Sequence, residues 1–398
     1  MKNINVPVGI SNFEKIRQDG YYYVDKTGLI KDMLKNKIPE VTLITRPRRF
    51  GKTLAMSMLA SFFDIRRDSK KLFQGLNISK EQQLCNDWMN QYPTLFLSFK
   101  DVDGTIFENA LGLLRFTIAE LCKKHTYLIE SDMVDQDDKE TFRKLKSMGS
   151  NLPELQGSII MLMNMMKAYY NKPIILLIDE YDVPIAKASS NGYYKEMLEV
   201  MKTMLSTALK DNEALKFAVV TGCLKIAKES VFTGTNNFVS DTISSERYNE
   251  YYGFTQKDVD QILQDSQIEE KASDIKEWYD GYRFGEFDVY CPWDVLNYCD
   301  ALQADKEAEP QNYWINTSSN DVVKKFIEHA DKGTTKREIE RLVAGESIRK
   351  EIHQELTYQD MYSSMDNLWT TLFMTGYLTQ RGKPDGNRYN LAIPNREV

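Results

Sequence analysis

A chain of 398 residues, 42% hydrophobic and 27% charged, has the make-up of an ordinary globular protein and exceeds one comfortable core, so two domains are expected. Its net charge of −7 supplies no global basic field for nucleic acid. The five cysteines (Cys85, Cys122, Cys223, Cys291, Cys299) form no Cys-x-x-Cys pair and the three histidines are far apart, which argues against a zinc ribbon, a disulfide framework or a histidine metal site. No apolar run approaches the roughly 18 residues of a membrane span and the N-terminus lacks a signal-peptide core, so a cytoplasmic protein is expected.

Residues 1–40 read as an extension ahead of the first strand. Within it, Tyr21-Tyr22-Tyr23-Val24-Asp25-Lys26-Thr27 has two readings. The aromatics cover a base, or Asp25 caps a helix beginning at Lys26 or Thr27. The apolar run 41–45 is the first predicted strand, and a helix rich in Ala, Met and Leu is predicted over 53–63. Between them stands Arg46-Pro47-Arg48-Arg49-Phe50-Gly51-Lys52-Thr53, followed by Leu54. Strand, tight loop, Gly-Lys-Thr and helix make a cradle for nucleotide phosphates, because loop amides and the helix N-terminus point at the anion. Lys52 would reach the β and γ phosphates, and the Thr53 hydroxyl would ligate Mg²⁺. The pattern departs from the usual one in having Arg46 where a Gly six positions before the Lys is common. Taken by itself, the motif also fits a basic turn capping a helix.

A second strand is predicted over 94–99, and helices over 106–125 and 152–170. The methionine-rich run 161–166 suits packing between helix and sheet. Ile174-Ile175-Leu176-Leu177-Ile178-Asp179-Glu180 then reads as a strand buried on both faces and ending in two acids. Carboxylates there are costly unless they face a ligand or cation. This is the arrangement of a Walker B strand, with Asp179 in the Mg²⁺ shell and Glu180 orienting or deprotonating the attacking water. The alternative is a strand emerging into solvent with two surface acids. A helix over 193–210 leads to a buried strand over 216–222, whose end should lie beside Asp179. Thr221 there is a γ-phosphate or water sensor, or a simple strand-end cap.

Beyond about residue 245 the aliphatic strands stop, and short aromatic-rich helices are predicted over 255–263, 274–279, 292–298, 320–329 and 365–375. Two strands, 377–381 and 388–393, flank a turn at 382–387. Helices followed by a hairpin suit a winged-helix element, which serves either DNA contact through Arg381, Lys383 and Arg388 or packing as a lid. The cluster Trp278–Phe284 reads either as a phosphate or base contact or, preferably, as a packed helix end with a turn at Asp280-Gly281. The expected fold is therefore α/β: a P-loop NTPase with a mainly parallel sheet over 1–245, then a mostly helical lid with a winged-helix-like hairpin over 246–398.

These segments together resemble the bacterial AAA-ATPase-like family, whose members commonly carry a C-terminal nuclease domain of the PD-(D/E)xK type. Supporting motifs are Pro7-Val8-Gly9-Ile10-Ser11-Asn12-Phe13, Tyr23-Val24-Asp25-Lys26-Thr27 and the Arg-Pro-Arg-Arg-Phe-Gly-Lys-Thr loop, the family's own form of Walker A. Further along stand Thr221-Gly222, the stretch 230–238, Tyr252-Gly253-Phe254-Thr255 and Trp278-Tyr279-Asp280-Gly281-Tyr282-Arg283-Phe284. Tyr313-Trp314-Ile315-Asn316-Thr317-Ser318 and Gly376-Tyr377-Leu378-Thr379 complete the order. The resemblance implies ATP binding and Mg²⁺-dependent hydrolysis that drives or gates a nuclease-associated or nucleic-acid-directed machine. The other reading is a nucleotide-gated regulatory module with little turnover. Residues 393–398 resemble the junction before the nuclease, and no Asp with a strand-borne Glu-x-Lys set follows, so the nuclease is expected to be removed, naturally absent or a separate partner. DNA or RNA, and oligomerisation with an arginine from a neighbour, are the other partners this resemblance brings into view. Within the loop, Arg48 or Arg49 is expected to act in turnover and Arg46 to shape the loop, since like charges this close repel unless anions lie between them.

Overall fold

The protein's structure is a computed structural model that describes residues 4–35, 38–225, 238–314, 323–324, 326–327 and 333–398. The chain divides into two compact units. One comprises Met1–Leu29, Thr45–Ala55 and Asp241–Val398, the other Ile30–Ile44 and Met56–Ser240. The stretch 230–237, the motif residues 315–318 and most of the helix predicted over 320–329 lie outside the described residues.

The second unit is organised by a five-stranded, all-parallel sheet of β1 (Val41–Thr45), β2 (Thr94–Ser98), β3 (Ile174–Asp179), β4 (Leu215–Gly222) and β5 (Phe238–Asp241), in the order β2-β3-β4-β1-β5. Strand β3, flanked by β2 and β4, is buried along its whole length, which is why it is aliphatic without alternation. Its register sets Leu176 between Leu95 of β2 and Ala218 of β4. Each fully buried aliphatic side chain of this kind contributes about 1.5–3 kcal/mol. Helices Phe107–Lys124, Gln136–Lys146, Ser158–Tyr170, Val183–Asn191 and Tyr194–Leu209 flank the sheet. Met161, Met163, Met165 and Met166 are all buried, while Asn164 between them is exposed.

One prediction needs correcting. The helix expected over 152–170 is two helices, Leu152–Gln156 and Ser158–Tyr170, broken at Gly157. The first carries a complete capping box, Asn151 with Glu154, so it has its own start signal. Gln136–Lys146 and Val183–Asn191 were not anticipated, the former because its sequence is mostly charged and its apolar face rests on Phe142 and Leu145.

In the first unit, helices Gln256–Ser266, Ala272–Tyr279 and Pro292–Ala304 share an apolar cluster with Ile4 and Val6, including Ile262, Ile275, Val295 and Tyr298. Thr255 and Asp258 form a capping box, and Asp258 also takes an ion pair from Lys26 at 2.6 Å. Lys26 is thus a structural cation. Asp25 does not cap a helix at Lys26 or Thr27; its Oδ1 accepts from the Thr27 amide and hydroxyl, and the helix runs Gly28–Lys35.

The Trp278–Phe284 segment is a helix end followed by a strand. The helix stops at Tyr279, and β6 (Tyr282–Phe284) pairs antiparallel with β7 (Phe287–Val289). Near the C-terminal end of the sequence, β8 (Ile348–Glu351), β9 (Thr379–Gln380) and β10 (Arg388–Ala392) form an antiparallel sheet in the order β8-β10-β9. With helices Thr334–Val343 and Met365–Thr375 these strands follow the order of a winged helix. The expected hairpin is present, and β8 is the strand that was missed.

Candidate nucleotide-binding site

The loop after β1 belongs to the first unit and is held there by side chains of residues 241–376. Arg46 is completely buried. Its guanidinium donates to the carbonyls of Thr45, Asp241 and Arg247, to Asn249 Oδ1 at 2.7 Å and to Asp241 Oδ1 at 2.5 Å. The same group lies over the Tyr252 and Phe284 rings at 5.3 and 5.7 Å. Burial pushes the Asp241 carboxyl above the usual carboxylate range, and Arg46 opposes that. Arg46 therefore anchors the base of the loop, with both terminal guanidinium nitrogens taken by protein acceptors.

Pro47 is buried against Gly376: a Cβ at Gly376 would come within 2.9 Å of Pro47 Cβ. Phe50 is fully buried edge-on to Tyr282 at 4.9 Å and tilted against Phe284 at 5.0 Å. Arg48 and Arg49 are the exposed residues at the tip. Arg49 has a positive φ of 70°, its carbonyl faces the Cys291 thiol, and its guanidinium stacks 4.0 Å over Trp293. The Arg48 carbonyl accepts from the Trp314 indole at 3.3 Å. Gly51 (φ 82°) supplies the left-handed turn into the helix Lys52–Phe63. Lys52 is nearly buried, and its ammonium donates to the Arg46 and Pro47 carbonyls at 2.8 Å each. The ammonium is thereby folded back along its own loop. Thr53 and Leu54 occupy the first turn of that helix and are partly exposed.

The acidic strand belongs to the second unit. Asp179 is the last residue of β3 and is fully buried. Its Oδ1 accepts from the Thr221 hydroxyl at 2.5 Å, whereas Oδ2 has no hydrogen-bond partner among the described residues. Glu180 follows with a positive φ of 54°, so the chain turns sharply where the strand ends. Sequence reasoning missed Asp182, whose Oδ2 accepts from the Cys223 and Leu224 amides at 2.9 and 3.0 Å. Tyr181 reinforces this clamp by donating its hydroxyl to the Leu224 carbonyl at 2.8 Å. Gly222 is required here, since a Cβ would meet Asp182 Oδ1 and Tyr181 Cε1 at 2.6 Å. The signal for Asp182 was available: a third acid three positions after Asp179, just ahead of a proline-containing helix start.

Because the sheet is parallel, β1, β3 and β4 end on one edge, at Thr45, Asp179 and Gly222. A carboxylate with one buried oxygen held and the other unmatched suits a hydrated divalent cation, which demands oxygen ligands and keeps several waters. Thr53, in the first turn after Gly51-Lys52, carries a hydroxyl oxygen, the kind of donor such a cation takes. Among the described residues no group of three or more His, Cys, Asp or Glu is arranged around a metal. Mg²⁺ requires no such group when phosphate oxygens and waters complete its shell. No helix among the described residues is long and apolar enough to cross a membrane.

Over its whole length the chain is 28% identical, across 411 aligned positions, to an uncharacterized protein from the vnfD 5' region of Azotobacter chroococcum mcd 1; the alignment covers 69% of that protein. Residues 7–232, more than half of the chain, match the model of a family described as predicted AAA-ATPase. The chain belongs to the AAA-ATPase-like family.

Proposed function

We propose that this protein binds ATP with Mg²⁺ at the Gly51-Lys52-Thr53 loop and hydrolyses it with Glu180 as the general base. Family membership supports ATP binding and ATPase activity in general. The observation that supports the finer reading is Asp179: fully buried at the end of β3, held by Thr221 on one oxygen and unmatched on the other among the described residues. Lys52 takes the β and γ phosphates, and Gly51 and Leu54 contribute loop and helix-start amides. Thr53 and Asp179 carry the oxygen ligands that would hold Mg²⁺, which when bound would supply charge neutralisation on the phosphates. Thr221 fixes the Asp179 carboxylate and so acts through it. Arg48 and Arg49, exposed at the tip, are the arginines assigned to stabilise charge developing in transfer. Arg46, Pro47 and Phe50 give the loop its shape.

A gating role is favoured alongside turnover, because the loop is fastened to residues 241–376 through Asp241, Asn249, Trp314 and Gly376. Anything that moves the loop moves those contacts. Sequence reading of DNA by the winged-helix element is disfavoured: helix Met365–Thr375 contains no Lys or Arg, and Leu368–Met374 are all buried. Around it, Arg349 pairs with Asp385, Lys350 with Glu338 and Lys383 with Glu286, while Arg381 donates to the Gly281 and Pro394 carbonyls. Packing suits this element better than a groove. Coupling to a nuclease, carried on the same chain or separate, rests on the resemblance to the family alone.

Calorimetric titration with MgATP tests the core of this reading. The wild type should bind, and Lys52→Ala should lose tight binding while keeping its circular dichroism spectrum. Equal affinities would refute the assignment.

A further inference from the structure

Behind the arginine tip of the loop, within the same unit, lies a group of acids that the proposed chemistry does not use. Asp294 sits in the first turn of helix Pro292–Ala304 and is fully buried, its carboxyl group facing the Cys291 thiol. The carboxyl group opposing it is that of Glu397, itself buried. An Asx turn aims Glu397 inward, with Asn395 Oδ1 accepting from the Glu397 and Val398 amides at 3.1 and 3.4 Å. Glu397 Oε1 accepts from the Trp314 backbone amide. Trp314 in turn donates its indole N–H to the Arg48 carbonyl, and its ring stands edge-on to Tyr377 at 5.0 Å. On the other side, Trp293 stacks on the Arg49 guanidinium and the Cys291 thiol faces the Arg49 carbonyl. Both ends of the Arg48-Arg49 turn are therefore tied to this acid pair by short, direct connections.

We propose that Asp294 and Glu397 form a buried carboxyl pair that positions the Arg48-Arg49 turn, and so act as positioning residues for ATP turnover; this rests on the nucleotide reading above. Two carboxylates in contact in a dry interior do not both ionise, so the pair holds one proton and one negative charge between them. The single charge is offset by Arg49 and by the N-terminus of helix Pro292–Ala304. The remaining titratable groups facing the pair are the Cys291 thiol and the phenols of Tyr279, Tyr282 and Tyr313, all pushed upward by burial and therefore neutral. Burial and Glu397 likewise push Asp294 well above the usual carboxylate range. A shared proton gives the pair a fixed hydrogen bond, and losing it would set two like charges against each other beside the loop.

The test compares Asp294→Asn, Glu397→Gln and the double variant with the wild type. Each single amide replaces one member by a neutral donor and keeps one acid, so each should retain most of kcat. The double variant removes the charge and should lower kcat about tenfold or more while ATP affinity changes less than about threefold, as expected when a catalytic cation is misplaced by a fraction of its range. Wild-type turnover should also fall on the alkaline side, and Asp294→Asn should lack that limb. A double variant with wild-type kcat and pH profile would overturn the proposal. Thermal unfolding separates this from failure of the nucleotide reading. Because the folded state raises Asp294 above its unfolded value near 4, stability present at low pH is lost as pH rises, so wild-type Tm should drop relative to Asp294→Asn with increasing pH. A wild type that binds no ATP yet shows this divergence would sink the nucleotide reading and keep the pair. Parallel Tm curves would sink the pair itself.

Discussion

Replacing Arg46 with Met keeps much of the side-chain volume and removes a guanidinium that makes five hydrogen bonds in a fully buried position. Asp241 and Asn249 would lose the donor that meets their side chains, and the Asp241 charge would stay buried without its counter-ion. Breaking one side of such a pair costs about 3–5 kcal/mol. The double variant with Asp241→Asn leaves no uncompensated charge, so it should be more stable than the sum of the two single losses predicts. The pH dependence has a fixed sign. Burial raises Asp241 above its unfolded value, so ionising it is less favourable in the fold than in the unfolded chain, and stability falls as pH rises through that range. Without Arg46 that trend steepens, by up to about 1.4 kcal/mol per pH unit, and the penalty of Arg46→Met should shrink on going from pH 8 towards pH 5. Urea denaturation at both pH values reads all of these quantities. A single-variant loss below about 1 kcal/mol, or strictly additive single losses, would refute the view of Arg46 as the loop's anchor.

Gly376→Ala should destabilise the protein by about 1–3 kcal/mol and weaken ATP binding, because its φ of 90° is strained for alanine and its Cβ would press on Pro47. Gly382→Ala, with a φ of 69° and no heavy atom within 4 Å of the added Cβ, serves as the control for backbone strain alone, and its ATP affinity should match the wild type. Arg48→Ala and Arg49→Ala, read by steady-state kinetics, should lower kcat more than affinity, with at least one of them down about tenfold or more. Two near-wild-type kcat values would remove both arginines from the mechanism.

The sheet was legible because β1, β3 and β4 are buried on most of their side chains and so are written as largely apolar runs. Asp179-Glu180 was legible because it ends such a run, and Gly51-Lys52-Thr53 because it stands in the short loop between such a run and a helix. Helix Gln136–Lys146 was hidden by its charge, and β6 to β8 by being only three or four residues long. What surrounds the loop was not legible at all. Asp241, Asn249, Trp293, Asp294, Trp314 and Glu397 come from positions about 190 to 350 residues beyond the loop in sequence. None carries a local pattern that distinguishes it from an ordinary surface acid or core aromatic. Arg46 illustrates the point: three arginines in four positions invite a phosphate, and only the fold reveals that one is committed to Asp241.

The central claim, Mg²⁺-dependent ATP hydrolysis with Glu180 as the base, is tested most directly by steady-state turnover of the wild type and Glu180→Gln, with MgATP affinity measured on the same samples. The account predicts hydrolysis by the wild type that stops when Mg²⁺ is chelated. It predicts a Glu180→Gln variant that binds MgATP with similar affinity but turns over about a hundredfold or more slowly, since the amide accepts no proton from the attacking water. Hydrolysis by Glu180→Gln at the wild-type rate, or a wild type that binds ATP and does not cleave it, would contradict it.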